Sequence, residues 1–223
     1  MDSDFAEQRL KMVDGQVRTT DVTAPGIIAA MLEIPREQFV PARRRSLAYI
    51  DEDIELTLPG DSDARFLMEP SPFAKLVQLA DVGSGDFVLD VGCATGYSAA
   101  VLSRLASSVI ALECDAGLAA AATENLSRLG YDNVVVVEGP LQEGYAPEAP
   151  YDVIFVGGAV DQVPAALFDQ LKDGGRLVAV TGSGNSGIAR IYVKDDGIVS
   201  SRRGFNAAVR ALPGFHSEPA FEF

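Results

Sequence analysis

The run Val88-Leu89-Asp90-Val91-Gly92-Cys93-Ala94-Thr95-Gly96-Tyr97 constrains this chain more than any other stretch. It reads as a buried strand, a tight glycine turn and the first residue of a helix. The pattern then repeats. From Asp86 onward, apolar runs predict strands at Phe87–Val91, Val109–Leu112, Val134–Glu138, Val153–Val156 and Arg176–Thr181. Helical spacing predicts helices over Tyr97–Leu105, Ala116–Leu129 and Val163–Leu171, with Gly130 as the stop for the second. Late in the chain, Asp195-Asp196-Gly197 joins two strand-like runs, Ala189–Val193 and Ile198–Gly204, and signals a hairpin. Strands alternating with helices build a Rossmann-like α/β fold. The expectation is a mostly parallel, doubly wound sheet with an antiparallel C-terminal edge.

The first strand carries a carboxylate near its end, and that detail selects a ligand. A turn that holds a dinucleotide pyrophosphate needs glycines and a helix N-terminus with no negative charge beside them. Here Gly92 and Gly96 flank Cys93, Ala94 and Thr95, so the middle glycine of G-x-G-x-x-G is missing. Asp90 at this place suits a ligand with a cation at its centre. S-adenosylmethionine meets that requirement: it has an ammonium, a sulfonium and no phosphate. Glu113 ends the next strand, about twenty residues past the turn, where doubly wound folds put an acid on ribose hydroxyls. A carboxylate can accept from both hydroxyls. Nicotinamide cofactors use such an acid too, so the choice against them rests on Asp90 and the missing glycine.

Bulk composition narrows the partners. The 223 residues are 48% hydrophobic and 22% charged, enough apolar material for a sizeable core. A net charge of −14 opposes nucleic acid or an anionic membrane as partner, since the long-range field attracts neither. Arg43-Arg44-Arg45 and Arg202-Arg203 read as solvated surface. No signal peptide or membrane-spanning run is visible, so the expected location is the cytoplasm. Cys93 and Cys114 are too few for a disulfide framework, and His216, without a Cys/His cluster, gives no metal site. The tail Phe215–Phe223 carries three phenylalanines and is expected to dock in cis, on a monomer or small homo-oligomer.

Residues 1–80 have a different texture. Phe5–Val17 has helical spacing, and Asp21 and Thr23 before Pro25 signal a second helix to Leu32. Pro35–Val40 reads as a short turn and Pro59–Asp63 as loop, while Glu69-Pro70-Ser71-Pro72 opens a helix to about Leu79. The expectation is a single domain over 1–223. Residues 1–80 would form an N-terminal cap and substrate-side segment over the C-terminal strand ends, and 81–223 the cofactor-binding core.

Together these stretches resemble class I methyltransferases, and more narrowly the protein-L-isoaspartate O-methyltransferase family. Met31-Leu32-Glu33-Ile34-Pro35-Arg36-Glu37-Gln38-Phe39-Val40-Pro41 is similar to the family's "AM-x-x-VPRE-x-FVP", which a tyrosine follows, here Tyr49. Gly92 to Leu102 resembles "IG-x-GSGY-x-x-AVLA", and Ala149-Pro150-Tyr151-Asp152-Val153-Ile154 resembles "APFD-x-I". Val163-Pro164, Leu167 and Gln170 to Val178 resemble "IP-x-x-L-x-x-QL-x-x-GGRLV". The resemblance spans nearly the whole chain. It implies S-adenosylmethionine as cofactor, bound by Asp90, Gly92, Cys93, Ala94, Gly96, Tyr97, Glu113, Cys114, Gly139, Pro140 and Leu141. It implies an acceptor side at Met68, Glu69, Pro70 and Ser71. The chain departs from the family twice. Phe66-Leu67-Met68-Glu69-Pro70 stands for "TISQP", so Met68 replaces the active-site serine, and a thioether donates no hydrogen bond. Glu138-Gly139-Pro140-Leu141 stands for a "GDG" signature, with Pro140 replacing an acid on the adenine side.

Methyl transfer from a sulfonium is a direct displacement at carbon. An acceptor carboxylate is already ionised, so positioning and a dry pocket suffice. A phenol or amine acceptor would call for a tuned base, which a chain with one histidine does not advertise. After the fourth strand, Val156-Gly157-Gly158-Ala159 has no aromatic residue to stack a flipped base. The leading expectation is therefore a carboxyl O-methyltransferase acting on isoaspartyl peptides. The alternatives are a different small carboxylate acceptor and a cofactor-binding homologue without isoaspartyl activity.

Overall fold

A computed structural model describes residues 2–57, 64–182 and 184–215. His216 and the rest of the tail lie outside the described residues, as does the whole of the loop expected over 59–63. The N-terminal part contains α1 (Asp2–Met12), which runs on into a π-turn at Val13–Val17, and α2 (Pro25–Glu33). Two 3₁₀ turns follow at Arg36–Phe39 and Ala42–Leu47. A two-residue pair then forms, β1 (Ile54–Glu55) with β2 (Phe66–Leu67), before α3 (Pro70–Ala80). Both α2 and α3 begin on a proline, whose fixed φ suits the first helical position. Asp21 and Thr23 do not cap α2. Instead Gln78 of α3 accepts from the Thr23 and Ala24 backbone N–H groups at 2.8 and 3.1 Å, tying the helix start to its neighbour.

The core follows as β3 (Phe87–Val91), α4 (Tyr97–Ser103), β4 (Ser108–Glu113), α5 (Ala116–Leu129), β5 (Val134–Glu138), β6 (Tyr151–Val160), α6 (Ala165–Asp169), β7 (Leu171–Thr181), β8 (Ile188–Asp195) and β9 (Ile198–Asn206). The sheet order is β5-β4-β3-β6-β7-β8-β9. The first five strands in that row are parallel, and β8 and β9 add the antiparallel edge through the expected hairpin. Alternating residues of the central strands bury both faces. Val88, Val109, Val153, Phe155 and Val178 join the core under α3, α4 and α5, while Leu89, Leu112, Ile154 and Leu177 join the core on the α6 side. Near-continuous apolar strands are what a doubly covered parallel sheet requires.

This order has a consequence for function. The chain runs outward from β3 to β5, then returns to β6 on the other side of β3. The carboxyl ends of β3 and β6 therefore part into the crevice where open α/β sheets bind ligands. Helix α2 packs on α3 and α4, and α1 packs on α2 and on the π-turn that follows it. The N-terminal residues that reach the crevice are Phe39, through its carbonyl, and Arg65 to Met68. After β9 the chain also returns: Ala159 donates to the Arg210 carbonyl at 2.8 Å and Leu212 to the Ala159 carbonyl at 2.9 Å. Leu212 and Phe215 end buried in the α6-side core.

Candidate active site

The turn after β3 is built from left-handed backbone. Gly92, Ala94 and Gly96 have φ of 84°, 49° and 96°. A Cβ on Gly92 would stand 2.9 Å from Leu212 Cδ2 and 3.3 Å from Arg65 Nη2, so the position is closed to larger residues on two grounds. Ala94 holds an unfavourable conformation, worth about 1–2 kcal/mol of strain. It is fixed there by its own N–H, which donates to Glu113 Oε2 at 2.7 Å. Thr95 ties the turn to the N-terminal part by donating to the Phe39 carbonyl at 2.6 Å.

The two strand-end acids differ in their surroundings. Asp90 is fully buried. Its Oδ2 accepts from Ser98 Oγ at 2.6 Å, and its Oδ1 has no hydrogen-bond partner among the described residues. Burial pushes its carboxyl up to about 7, against the opposing pull of the Ser98 hydroxyl. A buried acceptor with one oxygen unmet is a place prepared for a donor or a cation. Glu113 is equally buried but engaged at both oxygens, Oε1 above all. Its Oε1 accepts from the Cys114 and Asp115 N–H groups at 2.9 and 3.1 Å and pairs with Arg65 Nη1. Arg65 is itself buried, and its Nη2 donates to the Gly92 carbonyl at 3.3 Å. Burial raises the Cys93 thiol well above its ordinary value, and desolvation beside Glu113 raises the Cys114 thiol to about 11.

On the acceptor side, Met68 meets the turn. It shares a cavity of about 20 Å³ with Gly92, Cys93, Ala94, Tyr97 and Ser98. That is room for about one water molecule, not for a nucleoside. Phe73 and Phe155 close the cavity, and Phe73 stacks at 5.5 Å on Tyr97. Arg36 holds Met68 in place. Its guanidinium lies wholly buried 4.8 Å over the Tyr97 ring, with Nε donating to the Ala48 carbonyl at 2.8 Å and Nη2 to the Met68 carbonyl at 2.7 Å. The rest of the Pro-Arg-Glu segment locks the same region: Glu37 accepts from the Tyr49 hydroxyl, which also accepts from Arg9 at 3.0 Å.

The structure thus brings together Met68, Asp90, Gly92, Cys93, Ala94, Gly96, Tyr97, Glu113 and Cys114. Other expected residues stand further out. Glu69 caps α3 by position, and its N–H donates to Asp53 at 3.0 Å, while Pro70 and Ser71 begin the helix without lining the cavity. Gly139 and Pro140 follow the tip of β5, and Leu141 is buried in the α6-side core. Five residues not singled out in the sequence join the site: Arg65, Ser98, Gly157, Arg210 and Leu212. Only Gly157 carried a usable signal, as half of a glycine pair at a strand end beside the switch point.

Comparisons with known proteins agree with this geometry. The family model described as protein-L-isoaspartate(D-aspartate) O-methyltransferase matches residues 7–210. A protein-L-isoaspartate O-methyltransferase of Koribacter versatilis is 41% identical over 179 residues, 80% of this chain and 78% of that one. One from Methanoculleus marisnigri is 38% identical over 175 residues, 78% of this chain and 77% of its own. A solved protein-L-isoaspartate O-methyltransferase structure superposes with a TM-score of 0.81 at 30% identity, covering 92% of this chain and 66% of that one. A beta-aspartate methyltransferase from Plasmodium falciparum, in complex with S-adenosyl-L-homocysteine, shares the fold with a TM-score of 0.74 at 19% identity, over 93% of this chain and 97% of that one.

Proposed function

The chain belongs to the protein-L-isoaspartate(D-aspartate) O-methyltransferase family, and from that premise we propose that it methylates the carboxylate of isoaspartyl residues in peptides, using S-adenosylmethionine. One observation carries the cofactor half: Asp90 keeps a fully buried, unpartnered Oδ1 beside the glycine turn. Such an oxygen fits a cationic ligand and not a pyrophosphate. S-adenosylmethionine, when bound, supplies an electrophilic methyl group on a sulfonium.

This chain's own residues do the rest. Asp90 meets the positive charge, and Gly92, Cys93, Ala94 and Gly96 shape the turn against the cofactor. Glu113 receives the sugar hydroxyls, with Cys114 beside it. Gly139, Pro140 and Leu141 stand on the adenine side. Tyr97, Phe73 and Phe155 exclude water, which strengthens every charge interaction inside. Arg36, acting through the Met68 backbone, fixes the acceptor wall at Met68, Glu69, Pro70 and Ser71 for in-line attack. No side chain has to remove a proton, because the acceptor carboxylate arrives ionised. Residues 1–80 supply the acceptor side and 81–223 the cofactor side. Among the described residues no helix is long and apolar enough to cross a membrane. The proposed setting is cytoplasmic, as a monomer or small homo-oligomer.

Met68 favours a second reading, a different small carboxylate acceptor, because it cannot donate where the family's serine would. Methyl-ester formation on an isoaspartyl peptide, beside a panel of small carboxylic acids and calorimetry with S-adenosylhomocysteine, separates the readings. Turnover of the peptide supports the proposal. Turnover of a small acid alone replaces the acceptor, and tight cofactor binding with no turnover of any acceptor leaves a binding homologue.

A further inference from the structure

Glu113 presents a problem of hydrogen-bond capacity. An ionised carboxylate has about four acceptor sites. They are unevenly used: Oε1 accepts from the Cys114 and Asp115 N–H groups, the Cys114 thiol at 3.4 Å and Arg65, while Oε2 accepts only from the Ala94 N–H. A ribose donating from both hydroxyls fills the remaining site on Oε2 with one, and with the other has to displace a strong donor on Oε1, the distant thiol counting for little. The backbone groups belong to the turn and the strand end, so Arg65 is the one that can leave. Its second nitrogen sits on the Gly92 carbonyl, the other acceptor facing the turn. The guanidinium thus stands where the donors of a bound cofactor would stand.

Once displaced, a buried cation without a partner is strongly unfavourable. Arg65 already borders a second cleft, shared with Asp53, Phe66, Met68 and Arg210. Arg210 lies 4.6 Å over the Phe66 ring and 3.4 Å from Asp53, with most of its side chain exposed. Against these stand acids: burial holds the Glu69 carboxyl above its ordinary value, and Asp53, Asp51 and Glu52 add to that. A carboxylate acceptor approaching Met68 meets this negative field and finds no side-chain donor on Met68 itself. A cation delivered to this cleft answers both deficits.

Resting on the methyltransferase reading above, we propose that Arg65 has two stations: it holds Glu113 and the Gly92 carbonyl until the cofactor takes those acceptors, and then joins Arg210 to receive the acceptor's carboxylate. Arg65 therefore determines specificity for an anionic acceptor and sets the order of binding, cofactor first.

The test is titration calorimetry on the full chain with S-adenosylhomocysteine and an isoaspartyl peptide, separately and together, for the wild type, Arg65→Ala and Arg65→Lys. Far-UV circular dichroism checks that each variant is folded. In the wild type the peptide binds about tenfold tighter when S-adenosylhomocysteine is present, and by linkage the reverse holds equally. Arg65→Ala binds S-adenosylhomocysteine about tenfold tighter, because no internal competitor remains. It also loses the coupling to the peptide, and Arg65→Lys restores part of it. Weaker S-adenosylhomocysteine binding by a folded Arg65→Ala overturns the first station. Peptide affinity in the wild type that is absent, or equal with and without S-adenosylhomocysteine, overturns the second. Failure of the wild type to bind S-adenosylhomocysteine at all instead overturns the methyltransferase reading on which both stations rest.

Discussion

Asp90 and Glu113 stand near the carboxyl ends of adjacent strands, two residues out of register, in opposite electrostatic surroundings. The Asp90 carboxyl rises from 3.8 to about 7 in the fold, chiefly through burial. Below pH 3.8 the folded and unfolded chains both carry its proton, and no penalty exists. As pH rises from there the unfolded carboxyl ionises first, so stability falls until about pH 7, where the full penalty of up to about 4 kcal/mol is reached. Asp90→Asn is therefore expected to unfold at higher urea than the wild type at pH 8, with the advantage shrinking toward pH 5. The same variant binds S-adenosylmethionine more weakly, and the wild type releases protons on binding near neutral pH, because a cation lowers the carboxyl again. An advantage that does not change with pH would show that Asp90 ionises normally. Glu113 works by partners instead. Glu113→Ala leaves Arg65 buried and unpaired and frees the Ala94 N–H, at a cost of about 3–5 kcal/mol in chemical denaturation. It also weakens S-adenosylmethionine by about 1–3 kcal/mol, read by calorimetry.

At the level of elements, Arg36 joins four pieces separated in sequence: the 3₁₀ turn it starts, the Ala48 carbonyl, the Met68 carbonyl and the ring that opens α4. Arg36→Met keeps much of the volume and strands two buried carbonyls, so a loss of about 2–4 kcal/mol in stability is expected. A larger relative loss in kcat than in S-adenosylhomocysteine affinity would mark Arg36 as positioning the acceptor wall. The same comparison shows what the sequence could reveal. Strands β3 and β5 and helix α5 have the predicted bounds, since Asp115, Gly130 and the apolar runs act locally. Strands β6 and β7 extend further, through Gly157-Gly158 and Gly174-Gly175, where glycine looks like a breaker. At Gly158 the fold leaves no room for more: a Cβ there would stand 2.9 Å from the Arg210 carbonyl oxygen and 2.8 Å from Leu212 Cγ. The glycine turn and its acids were legible because strand, turn and helix are consecutive. The Arg65–Glu113 pair was not, because it spans 48 residues and depends on β2 reaching the crevice. The return of Leu212 over Gly92 likewise leaves no local pattern.

The whole molecule carries a net charge of −14, while two guanidiniums, those of Arg65 and Arg210, border the cleft beside Met68. These act over different distances. At physiological salt the field decays over about 8 Å, so an approaching peptide first meets the summed negative surface and only later the arginines. Long-range attraction then favours peptides with basic flanks, even though the group to be methylated is an acid. An isoaspartyl peptide flanked by lysines is expected to show a KM about tenfold lower than one flanked by glutamates at low salt. Raising the salt to about 1 M shortens the field to about 3 Å, and the gap should close with little change in kcat. A preference for acidic flanks, or a gap indifferent to salt, would mean that the cleft arginines dominate from a distance and that the acidic surface takes no part in selecting substrates.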